Sequence, residues 1–493
     1  MNPATNTDFY KTGHIFQYPE GTEKVYSNWT ARSAKNFKDF QGQFDDKVVF
    51  FGLQAALIKL QKEWEEKFFS LPVDVAVAKY NRRMRTSIGP IDTKHIEALW
   101  NLGFLPIKVK ALPEGSRVNL RVPMFTVVNT HSEFGWLTNY LETYLSSEVW
   151  KTCTNATIAF EYRKLFDKYA QITGTPREFV QFQGHDFSMR GMDGTESAGR
   201  SGAAHLLSFV GTDTIPAIDF LEDFYFANAE QELIGTSVPA TEHSTMSAGG
   251  EVDEAATFKR LITEVYPSGI ISIVSDTWDL WGVLTVIAPS LKEEILNRGR
   301  DAFGMSKVVF RPDSGDPVKI IVGDCSAEPG TPEFKGAVQL LWENFGGTFT
   351  DNGFKQVNEH VGLIYGDSIT PARARAILEG LANKGFASGN IVFGIGSYTY
   401  QMNTRDTFGF AMKATYAVVN GVGRELFKNP KTDSGMKKSA KGLLRVELED
   451  GEFVLYDQQT ELEETLGVLE TVFLNGKLVK QTSLAEVRKN LLG

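Results

Sequence analysis

Residues 307–316 read KVVFRPDSGD: a short apolar run that ends in an arginine, a proline and two carboxylates around a Ser-Gly pair. An apolar run of this length, bounded by turn chemistry, reads as a strand buried on both faces. The arrangement recurs along the middle of the chain. FVQFQ stands before GHDFSMRG, HLLSFVG before TDT, LIGTSVPA before TEHS and GIISIV before SDTWD; VGLIY precedes GDS, NIVFG precedes IGS, and TYAVV precedes NGVG. With KVVF that makes eight strand-like runs between residues 179 and 419. Helical segments such as DEAATFKRLITEVY (253–266) lie between them, and Thr370-Pro371 opens one helix with a hydroxyl cap and a first-turn proline. Eight alternations over about 240 residues fit a (β/α) barrel, with a doubly wound open sheet as the fallback.

The flanks read differently. KVYSNWTAR (24–32) has strand character, VVFFGLQAALIKLQKEWEEKF (48–68) and EFGWLTNYLETYLSSEVW (133–150) helical character, and 104–130 is a set of strands punctuated by Pro and Gly. Near the C-terminus, Asp450-Gly451 and Asn475-Gly476 are two-residue hairpin signals. The expected fold is therefore α/β: a barrel-like catalytic domain over 151–419 and a mixed, β-rich domain built discontinuously from 1–150 and 420–493.

At 493 residues the chain is too long for one simple core. Its net charge of −10 argues against general nucleic-acid binding, which needs a broad positive face, but leaves room for a small anion held by a local basic cluster. Cys153 and Cys325 match no metal or disulfide spacing and read as reduced thiols. The opening MNPATNTDFYKTGHIFQYPEG lacks the apolar core of a signal peptide, and no apolar run reaches membrane-span length; a cytoplasmic location is expected.

In either α/β architecture, reactive groups gather where strands end. That rim carries His185, Asp186, Arg190, Asp213, His243, Ser275, Asp279, Arg311, Asp313 and Asp367. Any one of these reads equally well as a solvated loop residue, but two Arg and two His among many Asp do not. Arg311 offers a planar fork for phosphate oxygens, and Asp313 a carboxylate for a ribose hydroxyl or Mg²⁺. YGDS (365–368) and FGIGS (393–397) supply glycine turns whose N–H groups can approach phosphate. FGIGS lacks the third glycine of a dinucleotide fingerprint. ISIVSDTWD lacks the paired carboxylates and Thr-Gly loop of type I phosphoribosyltransferases, so Ser275 and Asp279 are read as separate rim groups. Phe187 either seals the barrel mouth or stacks on a flat ligand. The lysine-rich stretch 428–442 reads as a surface loop or as a cover for a polyanion.

Taken together and in order, HDFSMRG, SFVGTDT, VPATEHST, VVFRPDSGDP, YGDS and NGVGRELFKNP closely resemble the nicotinamide phosphoribosyltransferases, which are type II phosphoribosyltransferases. DFYKTGHIFQYP, VYSNWTAR and LETVFLNGKLVK extend the likeness to both ends. The resemblance implies transfer of a 5-phosphoribosyl group from phosphoribosyl pyrophosphate to nicotinamide with Mg²⁺, and ATP hydrolysis coupled through a phosphohistidine at His243. It also implies a homodimer with shared active sites. Under it, Phe187 and the partner copy's counterpart of Tyr10 sandwich the nicotinamide ring, Asp213 accepts from the carboxamide and Ser275 donates to it. Arg190 and Arg311 grip phosphate and Asp313 holds the ribose. Asp279 joins His243, Arg311 and Asp313 as a catalytic group. Gly366, Asp367, Gly396 and Ser397 surround the nucleotide, with Ser397 standing where the family has glycine. Arg32, Arg405 and Lys413 lie near the 5-phosphate, and Lys428 and Lys437 at the pyrophosphate end. Most of the Mg²⁺ ligands are expected from pyrophosphate.

The nearest alternative is a nicotinate phosphoribosyltransferase; Asp213 disfavours it, because an anionic side chain repels a carboxylate but accepts from an amide. A non-catalytic signalling protein would not need the full set of rim residues. An aldolase or isomerase barrel would want a catalytic Lys or Glu on the rim.

Overall fold

The runs that end in charge do form parallel strands. In the computed structural model, which describes residues 2–38, 43–366, 369–427 and 440–493, these are β1 (Gly184–Asp186), β2 (Gly211–Thr212), β3 (Gly269–Val274), β4 (Ser306–Arg311), β5 (Val361–Tyr365) and β6 (Val392–Ile395). They pair in the order β2-β1-β6-β5-β4-β3. The two edges meet through the segment between Thr236 and Ala240: Thr236 bridges Gly211 in β2, and Ala240 bridges Ser272 in β3, both in parallel sense. This seventh stave closes the barrel. Ile271, Ile273, Phe310, Leu363, Phe393 and Ile395, all at most 1% exposed, share the strand face that packs on the surrounding helices, with Phe310 stacked on Phe258 and Phe393 on Phe166.

Register decides where the chemistry goes. Val274 lies opposite Arg311, Tyr365 opposite Phe393, and Asp186 opposite both Ile395 and Thr212. Parallel strands aligned in this way all release their following residues at one rim.

Four of the expected runs differ from their reading. FVQFQ is the end of a helix, Arg177–Gln183, whose buried residues Val180 and Gln183 are three apart, as one helical face requires. HLLSFVG continues from the helix Thr195–His205, and only Gly211–Thr212 pairs as strand. LIGTSVPA contributes two single bridges instead of a ladder. TYAVV belongs to the strand Ala411–Val419, which pairs antiparallel with Thr22–Thr30.

That last strand sits in an antiparallel sheet with Thr22–Thr30, Pro123–Asn129, Ile107–Ala111 and Glu470–Leu474. Three Asn-Gly or Asp-Gly turns with positive φ at both residues serve the terminal hairpins: Asn420-Gly421 (51° and 72°), Asp450-Gly451 (49° and 80°) and Asn475-Gly476 (49° and 82°). The expected helix at 48–68 begins later. Lys47–Val49 pairs with Arg117–Asn119, and Gly52, at φ 103°, separates this strand from the helix Leu53–Trp64. The helix read at 133–150 is two: Gly135–Tyr140, then Glu142–Thr173, which runs 32 residues to Gly174 in left-handed conformation. Among the described residues, no helix is long and apolar enough to cross a membrane.

Candidate active site

Three consecutive staves build one corner of the rim. The segment after Ala240 delivers His243, the first residue of the short helix His243–Gly249; β3 delivers Ser275 to Thr277, and β4 delivers Arg311 to Ser314. The His243 ring is held on both sides: Nε2 is 3.0 Å from Oδ1 of Asp313, and Nδ1 is 3.2 Å from the hydroxyl of Thr277. A carboxylate only accepts, so the neutral ring carries its proton on Nε2 and accepts at Nδ1. Glu242, the neighbouring carboxylate in sequence, turns away; it accepts from the Ser244 hydroxyl, and its backbone N–H donates to Thr245.

Asp276 supports this corner from beneath. Its Oδ2 accepts from the backbone N–H of both Asp313 and Ser314, each at 2.8 Å. Its Oδ1 is buried without a hydrogen-bond partner and lies 3.9 Å from His243 Nε2. One donor atom each from His243, Asp276 and Asp313 fall within 4.8 Å of one another. As a site for Mg²⁺ this set is incomplete, because Mg²⁺ favours six oxygens and the protein offers two carboxylates and a nitrogen. Phosphate oxygens and water would have to supply the remainder.

Arg311 faces the same space. Its guanidinium donates to the carbonyl of Thr241, while Nε is buried and unpartnered. Burial lowers its affinity for a proton, and the carboxylates of Asp313, Asp213 and Asp276 oppose that effect, whereas Arg190 adds to it. Two guanidiniums within electrostatic reach of each other at a strand end favour an anion between them. Arg190 itself is exposed on the turn Met189–Gly191.

Across the mouth lies a second cluster. Oδ1 of Asp213 accepts from His185 Nε2 at 2.8 Å and from the Ser237 hydroxyl at 2.6 Å. Burial by itself would raise the Asp213 carboxyl; the His185 hydrogen bond and charge, then Ser237 and Arg311, outweigh it and hold the group below the usual carboxylate range. No hydrogen bond to its Oδ2 is found among the described residues. The Phe187 ring is half-buried, 4.6 Å from the His185 ring centroid, and lies against Gly394, where a Cβ would fall 2.5 Å from the phenyl carbon Cδ2. Gly394 therefore sets the depth of the aromatic shelf.

The remaining expected residues divide. The hydroxyl of Ser275 is fully buried, donating to the Ile273 carbonyl and accepting from the Arg311 N–H. Asp279 caps a helical turn by accepting from Trp281 N. Gly366 donates its N–H to the Pro312 carbonyl, beside Asp313. Gly396 precedes the short helix Ser397–Gln401, and Ser397 fills the space that a side chain at Gly191 would need. Among the described residues, Arg32 and Arg405 make no hydrogen bond or ion pair with His243 or Asp213. Arg32 donates to Gly409 and lines a cavity of about 600 Å³ with Lys35, Arg121, Asp45 and Asp46; Arg405 is 3.7 Å from Asp406. Lys413 is exposed on Ala411–Val419, and Tyr10 is 62% exposed on the turn Phe9–Gly13. Asp367, Lys428 and Lys437 lie outside the described residues. The sequence reading passed over Asp276, Thr277 and Ser237. The signal for Asp276 was its place immediately beyond β3, one residue past Ser275.

Comparison with known proteins shows the family. Residues 182–477 match the nicotinate phosphoribosyltransferase family, and residues 2–65 match the N-terminal domain of nicotinamide phosphoribosyltransferase. A nicotinamide phosphoribosyltransferase from Acinetobacter baylyi is 59% identical over 100% of this chain and 97% of its own. The chain belongs to the nicotinamide phosphoribosyltransferase family. A relative of the same name from Xanthomonas campestris is 32% identical over 99% of this chain and 97% of its own. Among solved structures, a nicotinate-nucleotide pyrophosphorylase from Pyrococcus furiosus superposes with a TM-score of 0.57 at 16% identity, covering 100% of this chain and 95% of that one. Human nicotinic acid phosphoribosyltransferase gives 0.54 at 16% identity over 99% and 93%. These two structural likenesses establish a shared fold. Within it, the nicotinamide phosphoribosyltransferase motifs HDF, GTDT, TEHS and RPDSGD all fall at strand ends on one rim of the barrel.

Proposed function

We propose that the protein transfers a 5-phosphoribosyl group from phosphoribosyl pyrophosphate to the ring nitrogen of nicotinamide, releasing nicotinamide mononucleotide and pyrophosphate, in the cytoplasm. The observation that carries this reading is Asp213: an ionised carboxylate, fixed by His185 and Ser237, with one oxygen left for a substrate N–H beside an aromatic shelf. An amide fits that acceptor, and a carboxylate does not.

As the ribosyl–pyrophosphate bond breaks, positive charge grows on the sugar and negative charge on the leaving group. Arg311 and Arg190 stabilise the second, with Lys428 and Lys437 as further cations at the pyrophosphate end. Mg²⁺, when bound, neutralises pyrophosphate charge, and Asp313 and Asp276 are the carboxylates able to reach it. Asp313 also meets the ribose. Nicotinamide nitrogen is a modest nucleophile, so Phe187 and Asp213 act by positioning it. Tyr10 of a second copy closes the other face of the ring in a homodimer, with Arg32, Arg405 and Lys413 toward the 5-phosphate. Gly366, Asp367, Gly396 and Ser397 frame the nucleotide; Ser275 reaches the carboxamide by releasing Ile273, and Asp279 steadies the rim.

ATP enters through His243. The Nδ1 lone pair forms a bond to the γ-phosphorus, ADP departs with the electrons of the broken P–O bond, and the Nε2 proton stays in its hydrogen bond to Asp313. The test is turnover of nicotinamide and phosphoribosyl pyrophosphate with Mg²⁺, with and without ATP, in the wild type and in His243→Ala. The expected product is nicotinamide mononucleotide, formed faster with ATP only when His243 is present. An ATP effect that survives in His243→Ala would refute the coupling, and absence of the mononucleotide would refute the transfer.

A further inference from the structure

One carboxylate in this corner, Asp276, has a part in the reading above only when Mg²⁺ is bound. Asp276 is 93% buried as a side chain, yet only one of its oxygens is satisfied. Leaving a buried carboxylate oxygen unpaired is costly, so its presence here points to a task. Its two oxygens face different structures. Oδ2 takes the consecutive N–H groups of Asp313 and Ser314, which pins the turn after β4 to the end of β3. Oδ1 faces His243 Nε2 at 3.9 Å, behind the 3.0 Å contact that this nitrogen makes with Asp313.

We infer that Asp276 is a positioning residue for the His243–Asp313 pair: it fixes the turn that aims Asp313, and its second oxygen holds negative potential beside Nε2. With two carboxylates on that side, the proton of the neutral ring stays on Nε2 and the lone pair stays on Nδ1. When the ring becomes cationic on gaining a phosphoryl group, the same two carboxylates stabilise it. The inference rests on the phosphohistidine reading for its consequence, but its geometry stands without it.

Asp276→Asn separates the two roles. The asparagine carbonyl still accepts from Asp313 and Ser314, so a residue that served only the turn would tolerate the change. Its NH₂ group then occupies the Oδ1 position, where it donates to Asp313 and competes with His243. The expected result is a loss of at least about fivefold in the ratio of turnover with ATP to turnover without it. A matching loss of acid-labile phosphate on the protein is expected after incubation with γ-labelled ATP. Ring ¹⁵N shifts of His243 should move from the Nε2–H form toward a mixture of both tautomers. Asp276→Ser, smaller and still polar, is measured alongside, so that misfolding of one variant leaves the other. An ATP ratio and ¹⁵N pattern like the wild type in either folded variant would overturn the inference. His243→Ala keeps the two failures distinct: retention of the ATP effect there removes the phosphohistidine reading, whereas its loss there with no change in Asp276→Asn removes this inference alone.

Discussion

His243 Nε2 and Asp313 Oδ1 meet at 3.0 Å although 70 residues separate them, because the staves that deliver them, with β3 between, end at the same rim. The contact orients the imidazole and, in the proposed phosphohistidine reading, balances the charge the ring gains. Replacing Asp313 with Asn keeps the shape and removes the charge. The expected outcome is a loss of at least about tenfold in the ATP-dependent increment of turnover, together with a higher KM for phosphoribosyl pyrophosphate. Steady-state kinetics at saturating and zero ATP measure both.

Asp213 predicts substrate choice. Asp213→Asn removes the charge that repels nicotinate and replaces one acceptor oxygen with a donor. The ratio of kcat/KM for nicotinamide over nicotinate should fall by about 10- to 100-fold, equivalent to roughly 1.4–2.8 kcal/mol of discrimination. His185→Gln, which loosens the same carboxylate without touching substrate, should produce a smaller fall in the same direction. Parallel kinetics with the two pyridines decide it.

Gly394 predicts a steric effect on one substrate. A Cβ there would lie 2.5 Å from the Phe187 ring and 2.8 Å from the Tyr365 carbonyl, so Gly394→Ala must push the shelf into the mouth. KM for nicotinamide should rise by about tenfold or more while KM for phosphoribosyl pyrophosphate changes little. An equal rise in both would mean that the barrel rim as a whole had moved.

Glu254 predicts a pH effect on stability. Burial, then the nearby Asp279 and Glu251 carboxylates, raise its carboxyl from the ordinary 4.5 to about 7. Between those values the folded protein keeps a proton that the unfolded chain has released. Its contribution to stability is therefore full below about 4.5 and is lost as pH climbs through 7. Glu254→Gln should remove this slope and raise Tm at pH 8 by roughly 2 °C. Thermal melts of both proteins from pH 5 to 8 test it.

Most of the barrel was legible because its long strands carry their own signals. GIISIV and VGLIY form strands over the same residues, and KVVF lies inside β4. Thr370 caps its helix by accepting from Arg373 N. The short staves were not legible. Two or three residues, as in β1 and β2, show no periodicity, and FVQFQ is too short for alternation to exclude a helix. TYAVV was misplaced because an apolar run does not name its partner, although the Asn420-Gly421 turn beside it signals a hairpin. At the candidate site, strand ends and motifs point to His243, Arg311, Asp313, Asp213 and Phe187, and the structure brings them to one rim. Asp276 was missed because its role is to hold backbone N–H groups from another stave, which only the closed barrel brings to it.

The central claim, that the pocket selects an amide over an acid, is tested most directly by competition. Purified protein is given equal concentrations of nicotinamide and nicotinate with phosphoribosyl pyrophosphate, Mg²⁺ and ATP, and the nucleotides formed are separated and weighed by mass spectrometry. Nicotinamide mononucleotide in large excess is the predicted result. Equal amounts, or an excess of nicotinate mononucleotide, would contradict the role given to Asp213 and with it the proposed function.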